Sequence, residues 1–297
     1  MSLLHLVGHD GTDHGDDALA LARALGAERD VRRVVVHVLP WPGDTAPAAA
    51  PWADVDEAGT RERLARIRSV LAGDEVLEVL MARSPARGLH DFAERQDADL
   101  VSIGAHHRSP GRLHLATGTV AGSLLSGGPC AVAYASEGFA ARAHALARIV
   151  VGFDGSGEAR DALDEGAALA ASTGALVDVV YAYDHTAYPR YPGTVAEAEQ
   201  ASGALAQEGL EALPEAVRGV SASRSGVAGP VVERFAEGQG ADLIVLGSRG
   251  FGPVCRALLG STGSHVLHHT DRPVIVVPRG ARKAIPNGEP EQLIARA

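Results

Sequence analysis

Val7-Gly8-His9-Asp10-Gly11-Thr12, near the start of the chain, returns 144 residues later as Val151-Gly152-Phe153-Asp154-Gly155-Ser156. The match runs on without a gap to Asp17-Ala18-Leu19 against Asp161-Ala162-Leu163. A second stretch, Ala98-Asp99-Leu100-Val101-Ser102-Ile103-Gly104, returns at a shift of 143 as Ala241-Asp242-Leu243-Ile244-Val245-Leu246-Gly247. Asp10 to Gly104 spans 94 residues, and Asp154 to Gly247 spans 93. Two motifs held at one spacing twice mark a tandem duplication, and such a period decides the architecture before any single residue does. The length of 297 residues agrees, since about 150 residues per domain gives two.

Within each half, short β-branched runs alternate with long Ala/Leu/Glu/Arg stretches of helical period. That alternation signals βαβ units on a parallel sheet. Strands are expected over 3–7, 33–39, 75–81, 99–103 and 130–134, and again over 148–153, 176–182, 221–227, 242–247 and 273–277. Helices are expected over about 16–27, 58–72, 86–95 and 120–125, then 158–172, 195–213, 229–237 and 261–269. The fold expected is two tandem five-stranded parallel-sheet domains, each a three-layer α/β/α unit with four right-handed crossovers. The domains take residues 1–136 and 146–279, joined by a segment too short to let them wander. Residues 280–297, with Gly280, Pro286, Gly288 and Pro290, form a tail.

Composition removes several function classes. Apolar residues make up 46% and charged residues 22%, an ordinary globular balance. The formal charge of −10, with no basic run, repels a phosphate backbone, and 4% aromatics leave few platforms for stacking bases. Nucleic acid is not an expected partner. Cys130 and Cys255 match no CxxC pattern, so neither a disulfide framework nor a structural zinc site is written here. No apolar run approaches the roughly 20 residues that span a bilayer, and the start lacks the features of a signal peptide. A cytoplasmic protein without a membrane partner is expected.

In an open parallel sheet, ligands sit beyond the carboxyl ends of the strands, where the strand order reverses. After the fourth strand of the second half comes Gly247-Ser248-Arg249-Gly250, nine more residues, and then Gly260-Ser261 opening a helix. Glycines remove Cβ bulk and permit positive φ, so backbone N–H groups can close on an anion. A helix start adds unpaired N–H donors and the positive end of its dipole. The Ser261 and Thr262 hydroxyls can donate as well. The plainer alternative is that the glycines merely turn a strand into a helix and Ser261 is an ordinary cap. The pattern is neither a Walker A loop, for no Gly-Lys-Ser/Thr follows, nor GxGxxG.

Gly247-x2-Gly250-x9-Gly260-Ser261, the Asp-Gly-Ser after the first strand and the ending Arg272-Pro273-Val274-Ile275-Val276-Val277 resemble the universal stress protein family. The tandem form of that family covers all but the tail. The resemblance implies a nucleotide-binding fold of the adenine nucleotide hydrolase-like type, with ATP held between strands 1 and 4 and Mg²⁺ as candidate counter-ion. It places Asp154, with Gly152, Gly155 and Ser156, at the adenine or ribose end, and Ala182 along the adenine. It gives Gly247, Gly250, Gly260, Ser261 and Thr262 to ribose and phosphates. Arg249, between the paired glycines, either meets phosphate or is a solvated loop side chain. The last strands, 130–134 and 273–277, resemble the family's antiparallel dimer edge and could pair within one chain as a pseudo-dimer. A homodimer and an unidentified protein partner stay open.

The first half keeps Asp10, Gly11, Thr12, Val38, Gly104, Gly118 and Thr119 but departs elsewhere. His107 stands where the second loop glycine should, and ten residues rather than nine separate it from Gly118. An imidazole at that crowded position obstructs backbone approach to phosphate, so weaker nucleotide binding is expected in the first half. His9, Asp10, Asp13, His14, Asp16 and Asp17 form a ligand-dense opening, for which helix capping and dipole compensation is preferred over a metal site. His268 and His269 suit a helix end in the same way.

No catalytic residue is assigned. No GxSxG elbow appears, and the loop offers only Arg249 and Arg256 to neutralise a triphosphate, so at most slow hydrolysis is expected. The expected function is an ATP-binding regulatory or stress-response module. A slow Mg²⁺-dependent nucleotide hydrolase and a nucleotide-free interaction scaffold are the alternatives. Trp41, Trp52, Tyr181, Tyr183, Tyr188 and Tyr191 gather at the carboxyl edge, as a lid over the base or as packing of long loops.

Overall fold

A computed structural model describes residues 2–26, 30–40, 57–104, 120, 124, 128–142, 145–184, 195–248, 260–278 and 280. The first half runs β1 (Leu3–Gly8), α1 (Asp13–Leu25), β2 (Val31–Pro40), α2 (Glu57–Val70), β3 (Val76–Ala82), α3 (Pro85–Gln96), β4 (Leu100–Gly104) and β5 (Ala131–Ala135). The second runs β6 (Arg148–Gly152), α4 (Gly157–Thr173), β7 (Leu176–Tyr183), α5 (Val195–Glu211), β8 (Arg218–Ser225), α6 (Ala228–Gln239), β9 (Leu243–Gly247), α7 (Ser261–His269) and β10 (Val274–Val277).

All ten strands form one sheet in the order β3-β2-β1-β4-β5-β10-β9-β6-β7-β8. Every pairing within a half is parallel. The halves meet antiparallel at β5 and β10, with Val274 opposite Tyr134 and Val276 opposite Val132. Their union hides two edges that would otherwise invite another chain. Apolar packing crosses the seam on both faces of the sheet. Tyr134 and Val132 share one cluster with Val232 and Val276, and Leu21 and Ala133 share the other with Ile149 and Ile275. Near-continuous Val/Ile/Leu runs such as Arg148–Gly152 suit strands covered on both sides.

Local chemistry sets the element ends. Ser156 Oγ accepts the Ala159 N–H at 3.2 Å to cap α4, and Ser84 Oγ caps α3 in the same way, with Pro85 in its first turn. Two helices end on left-handed residues at equivalent places, Asp97 (φ 54) after α3 and Gly240 (φ 64) after α6. At the amino ends of the strands, Asp99 accepts the Leu4 N–H and Asp242 accepts the Ala147 and Arg148 N–H groups. The repeated Ala-Asp-Leu motif thus anchors the start of the first strand of its own half.

One expected strand shifts. The run over 221–227 is observed as Arg218–Ser225, three residues earlier at its start. Gly226 (φ +138) ends the strand by donating its N–H to Tyr183 O, and Val227 then caps α6. The early start is held by fully buried Asp178, which pairs with Arg148 at 2.7 Å and accepts the Val220 N–H at 2.8 Å. Between the halves, the buried Asp17 carboxylate accepts the N–H groups of Gly138 and Ala140 at 2.8 and 2.7 Å. The joining segment is therefore clamped onto α1.

Candidate functional site

Gly152 and Leu246 are register partners at the carboxyl ends of β6 and β9. The sheet continues through β7 and β8 on one side and β10 on the other. This is the point where strand order reverses, the place where an open parallel sheet characteristically receives a ligand in a crevice. Leaving β6, Phe153 donates its N–H to Val180 O at 2.9 Å. Asp154 Oδ1 then accepts the Ser156 N–H at 3.0 Å, an Asx turn that Gly155 completes at φ +79. The second oxygen of the Asp154 carboxylate has no partner among the described residues, and the side chain is half-buried.

Leaving β9, the backbone is pinned three times. Gly247 is glycine because the first turn of α4 crosses it: a Cβ there would lie 2.7 Å from the Glu158 carbonyl. Ser248, 3% exposed, donates its N–H to Val277 O at 2.8 Å. Its own carbonyl accepts the Gly260 N–H at 2.9 Å, so the chain comes back to the strand end before α7 begins. Gly260 caps α7 in extended conformation (φ −62, ψ 158) with no side chain. The N–H groups of Ser261, Thr262 and Gly263 have no acceptor among the described residues. Unsatisfied donors at the positive end of a helix favour an anion.

The first half repeats the turn and closes it differently. Asp10 Oδ1 accepts the N–H and the hydroxyl of Thr12 at 2.9 and 2.6 Å, with Gly11 at φ +85. His9 takes the place of Phe153 and is 2% exposed. Its Nδ1 accepts the Gly11 N–H at 3.0 Å, so the proton sits on Nε2, which donates to Asp16 at 3.0 Å. Burial holds the imidazole below its ordinary range, against the opposing pull of Asp16 and Asp10. Arg66 from α2 pairs with both Asp13 and Asp16, and the two carboxylates raise the guanidinium further above its already high range. The acidic opening is thus engaged by Arg66, His9 and the linker amides. His37, at the end of β2 and 5% exposed, donates Nδ1–H to His9 O at 2.7 Å. A Cβ on Gly104 would run into the His14 carbonyl, as one on Gly247 meets Glu158.

The sequence profile of the Universal stress protein family matches residues 5–135 and again 146–278. The chain belongs to the universal stress protein family. One universal stress protein of Mycobacterium tuberculosis is 28% identical over 290 residues, covering 91% of this chain and 95% of that protein. Another from the same organism is 28% identical over 238 residues, 74% of this chain and 78% of its own. Two solved structures share the fold over nearly the whole length. A universal stress protein from Archaeoglobus fulgidus superposes with a TM-score of 0.63 at 20% identity, covering 93% of this chain and 98% of that one. One described as a putative universal stress protein from Pseudomonas aeruginosa superposes with a TM-score of 0.65 at 15% identity, covering 99% and 95%.

For this universal stress protein, Gly152, Asp154, Gly155, Ser156, Ala182, Gly247, Gly260, Ser261 and Thr262 all stand at the carboxyl side of the second half's sheet. Ser156 is buried, and its Oγ accepts the Ala159 N–H as the cap of α4. Arg249, Gly250, Cys255 and Arg256 lie outside the described residues, as do His107, Gly118, Thr119, Trp41, Trp52, Tyr188 and Tyr191. Val38 packs onto α3, where a Cβ on Gly88 would stand 2.8 Å from its methyl. His268 and His269 bond back to the carbonyls of Ser264 and His265, the helix-end role expected of them. Sequence reasoning did not single out Arg66 or His37. The exchange of His9 for Phe153 between otherwise matching turns was the available signal. No helix among the described residues is long and apolar enough to cross a membrane.

Proposed function

We propose that this chain is an adenine-nucleotide-binding regulatory protein, with ATP held by the second half at the carboxyl ends of β6 and β9 and only weakly by the first. The observation that carries the reading is the amino end of α7. Three successive N–H groups lack acceptors among the described residues, and the Gly260–Ser248 bond holds them beside β9. Membership of the universal stress protein family and the Gly247-x2-Gly250-x9-Gly260-Ser261 spacing support the same reading. Asp154 offers its second carboxylate oxygen to a ribose or adenine donor. The phosphates lie toward Gly260, Ser261 and Thr262, where backbone and hydroxyl donors replace the lysine of a P-loop. Magnesium, when bound with the nucleotide, neutralises phosphate charge.

Among the described residues we assign no nucleophile beside the ends of β6 and β9, and in this reading the nucleotide acts through occupancy. Its differential affinity for two arrangements of the surrounding loops shifts their balance, and a protein partner reads the result. Calorimetry of the purified chain tests the reading. ATP should bind saturably, with affinity about tenfold lower in Asp154→Ala, the worth of one charge-assisted hydrogen bond. Phosphate release should stay slow. Absence of any binding heat at millimolar ATP, ADP, AMP and cyclic AMP overturns it.

A further inference from the structure

A cavity of about 320 Å³ lies between edge strand β8 and α6 on the outer flank of the second half. Arg224, Ser225, Val231, Arg234, Phe235 and Gln239 line it, and none of them belongs to the crevice described above. Its volume is at the lower end of small-molecule sites. Phe235 and Val231 are buried and give it an apolar side. Its two charged groups are both cations, in a chain whose formal charge is −10. The Arg224 guanidinium lies 6.0 Å from the centre of the Phe235 ring and donates one N–H to Ser223 O at 2.9 Å. Arg234 makes no hydrogen bond or ion pair with any described residue, and neighbouring Glu233 is turned to His265 at 3.0 Å.

The first half carries other residues at the equivalent positions. Strand register places Leu80 where β8 has Arg224, and the repeat places Asp91, Phe92 and Arg95 where α6 has Arg234, Phe235 and Gly238. Leu80 packs into the apolar core. Asp91 is paired with Arg87 at 2.9 Å, and the Arg95 guanidinium covers Phe92 at 5.8 Å. In the second half Gly238 replaces Arg95, a Cβ placed there would meet nothing within 4 Å, and the cation over the ring comes instead from Arg224 on β8. Three exchanges on one backbone therefore shorten one side chain to glycine, remove an acid and bring two guanidinium groups to the cavity.

We propose that this cavity binds a small phosphate monoester carried on a flat apolar body. The guanidinium groups of Arg224 and Arg234 take the phosphate oxygens, for which their planar donor forks are suited. Phe235 and Val231 take the body.

Phenyl phosphate is the probe, titrated into the ¹⁵N-labelled full chain, with inorganic phosphate and phenol as parallel arms. The proposal expects a saturable shift of the Arg224 and Arg234 side-chain and Gly238 amide resonances, unchanged when ATP is present. Inorganic phosphate and phenol should each bind more weakly than the combined probe. Arg234→Asp should weaken binding about tenfold, one charge-assisted contact. Gly238→Arg is the decisive variant. It adds a positive charge yet fills the space, and Arg is a better helix former than Gly, so the fold is kept. Diffuse attraction to positive charge would make this variant bind phenyl phosphate more tightly; a built cavity loses it. Equal or tighter binding by folded Gly238→Arg overturns the proposal. So does the absence of saturable binding to the wild-type chain at millimolar probe, or inorganic phosphate binding as tightly as phenyl phosphate.

Discussion

After β1, His9 is locked between Gly11 and Asp16, and Arg66 holds Asp13 and Asp16 together. After β6, Phe153 packs against α5, where a Cβ on Gly209 would stand 2.8 Å from its ring, and Asp154 keeps one carboxylate oxygen unpartnered among the described residues. The turns share a backbone, since Gly11 and Gly155 have φ +85 and +79 and each is the middle residue of an Asx turn. The difference separates two layers of meaning in one motif. Asp-Gly makes the turn in both halves, whereas in the first half the neighbouring His9, Asp13 and Asp16 are engaged with one another and with Arg66. The same contrast recurs in the core. His5 and Ser102 form a buried hydrogen bond at 2.7 Å where the second half has Ile149 and Val245.

The largest expected effect breaks the shared layer. Gly104→Ala drives a methyl into the His14 carbonyl, backbone against backbone, while Gly247→Ala meets Glu158 less closely. Overpacking of this kind costs about 1–3 kcal/mol and occasionally more, so Gly104→Ala should stand at or above the top of that range and Gly247→Ala within it. Urea midpoints measure both, and an unchanged midpoint for Gly104→Ala would refute the close-approach account.

Exchange of the core pair sharpens the comparison at smaller cost. His5→Ile alone leaves the Ser102 hydroxyl without this partner and should cost about 1–3 kcal/mol. Adding Ser102→Val restores the second half's apolar pair and should recover most of that loss. A double-mutant cycle without coupling would show that the hydrogen bond is not what links the two positions.

The His9 lock gives the first half a pH dependence that Phe153 cannot. Its folded pKa lies below the unfolded value of 6.5 because burial penalises the cation. In the window between the two, the unfolded state binds more protons. This contribution to stability is therefore complete above about pH 6.5 and is lost as pH falls. The slope is at most about 1.4 kcal/mol per pH unit for one proton. His9→Phe should remove it, at the separate cost of the Gly11 and Asp16 hydrogen bonds. A variant whose acid slope equals that of the wild-type chain would place the titration elsewhere.

Smallest of all is the effect of His107→Gly. It should raise first-half nucleotide affinity only modestly, because the extra residue before Gly118 stays in place. Calorimetry that finds no gain would count against the steric reading of His107.

The two-half fold is legible in the sequence because its signals are local. Repeated motifs mark the duplication, and buried parallel strands read as apolar runs. β8 is less legible, since the edge strand Arg218–Ser225 alternates Gly, Ser and Arg and is held by Asp178 from another strand. At the site, Asp154, Gly155 and Gly260 follow from turn and cap chemistry. The meeting of Arg66 with Asp13 and Asp16 does not, because those residues lie 53 and 50 apart and are joined only by packing of α2 on α1. Gly247 was legible as a glycine of the loop after the fourth strand, but its demand for close helix approach appears only when Glu158 is seen across it. Likewise Gly238 has no local signature. Its consequence emerges only by contrast with Arg95 over Phe92.

The most direct test of unequal halves is photo-crosslinking with an azido-adenine analogue of ATP, followed by peptide mapping of the labelled chain. The account predicts saturable labelling concentrated on peptides carrying residues 152–156 and 180–184, displaced by unlabelled ATP. Equal labelling of peptides around residues 8–12 and 36–40, or labelling that ATP does not displace, would contradict it.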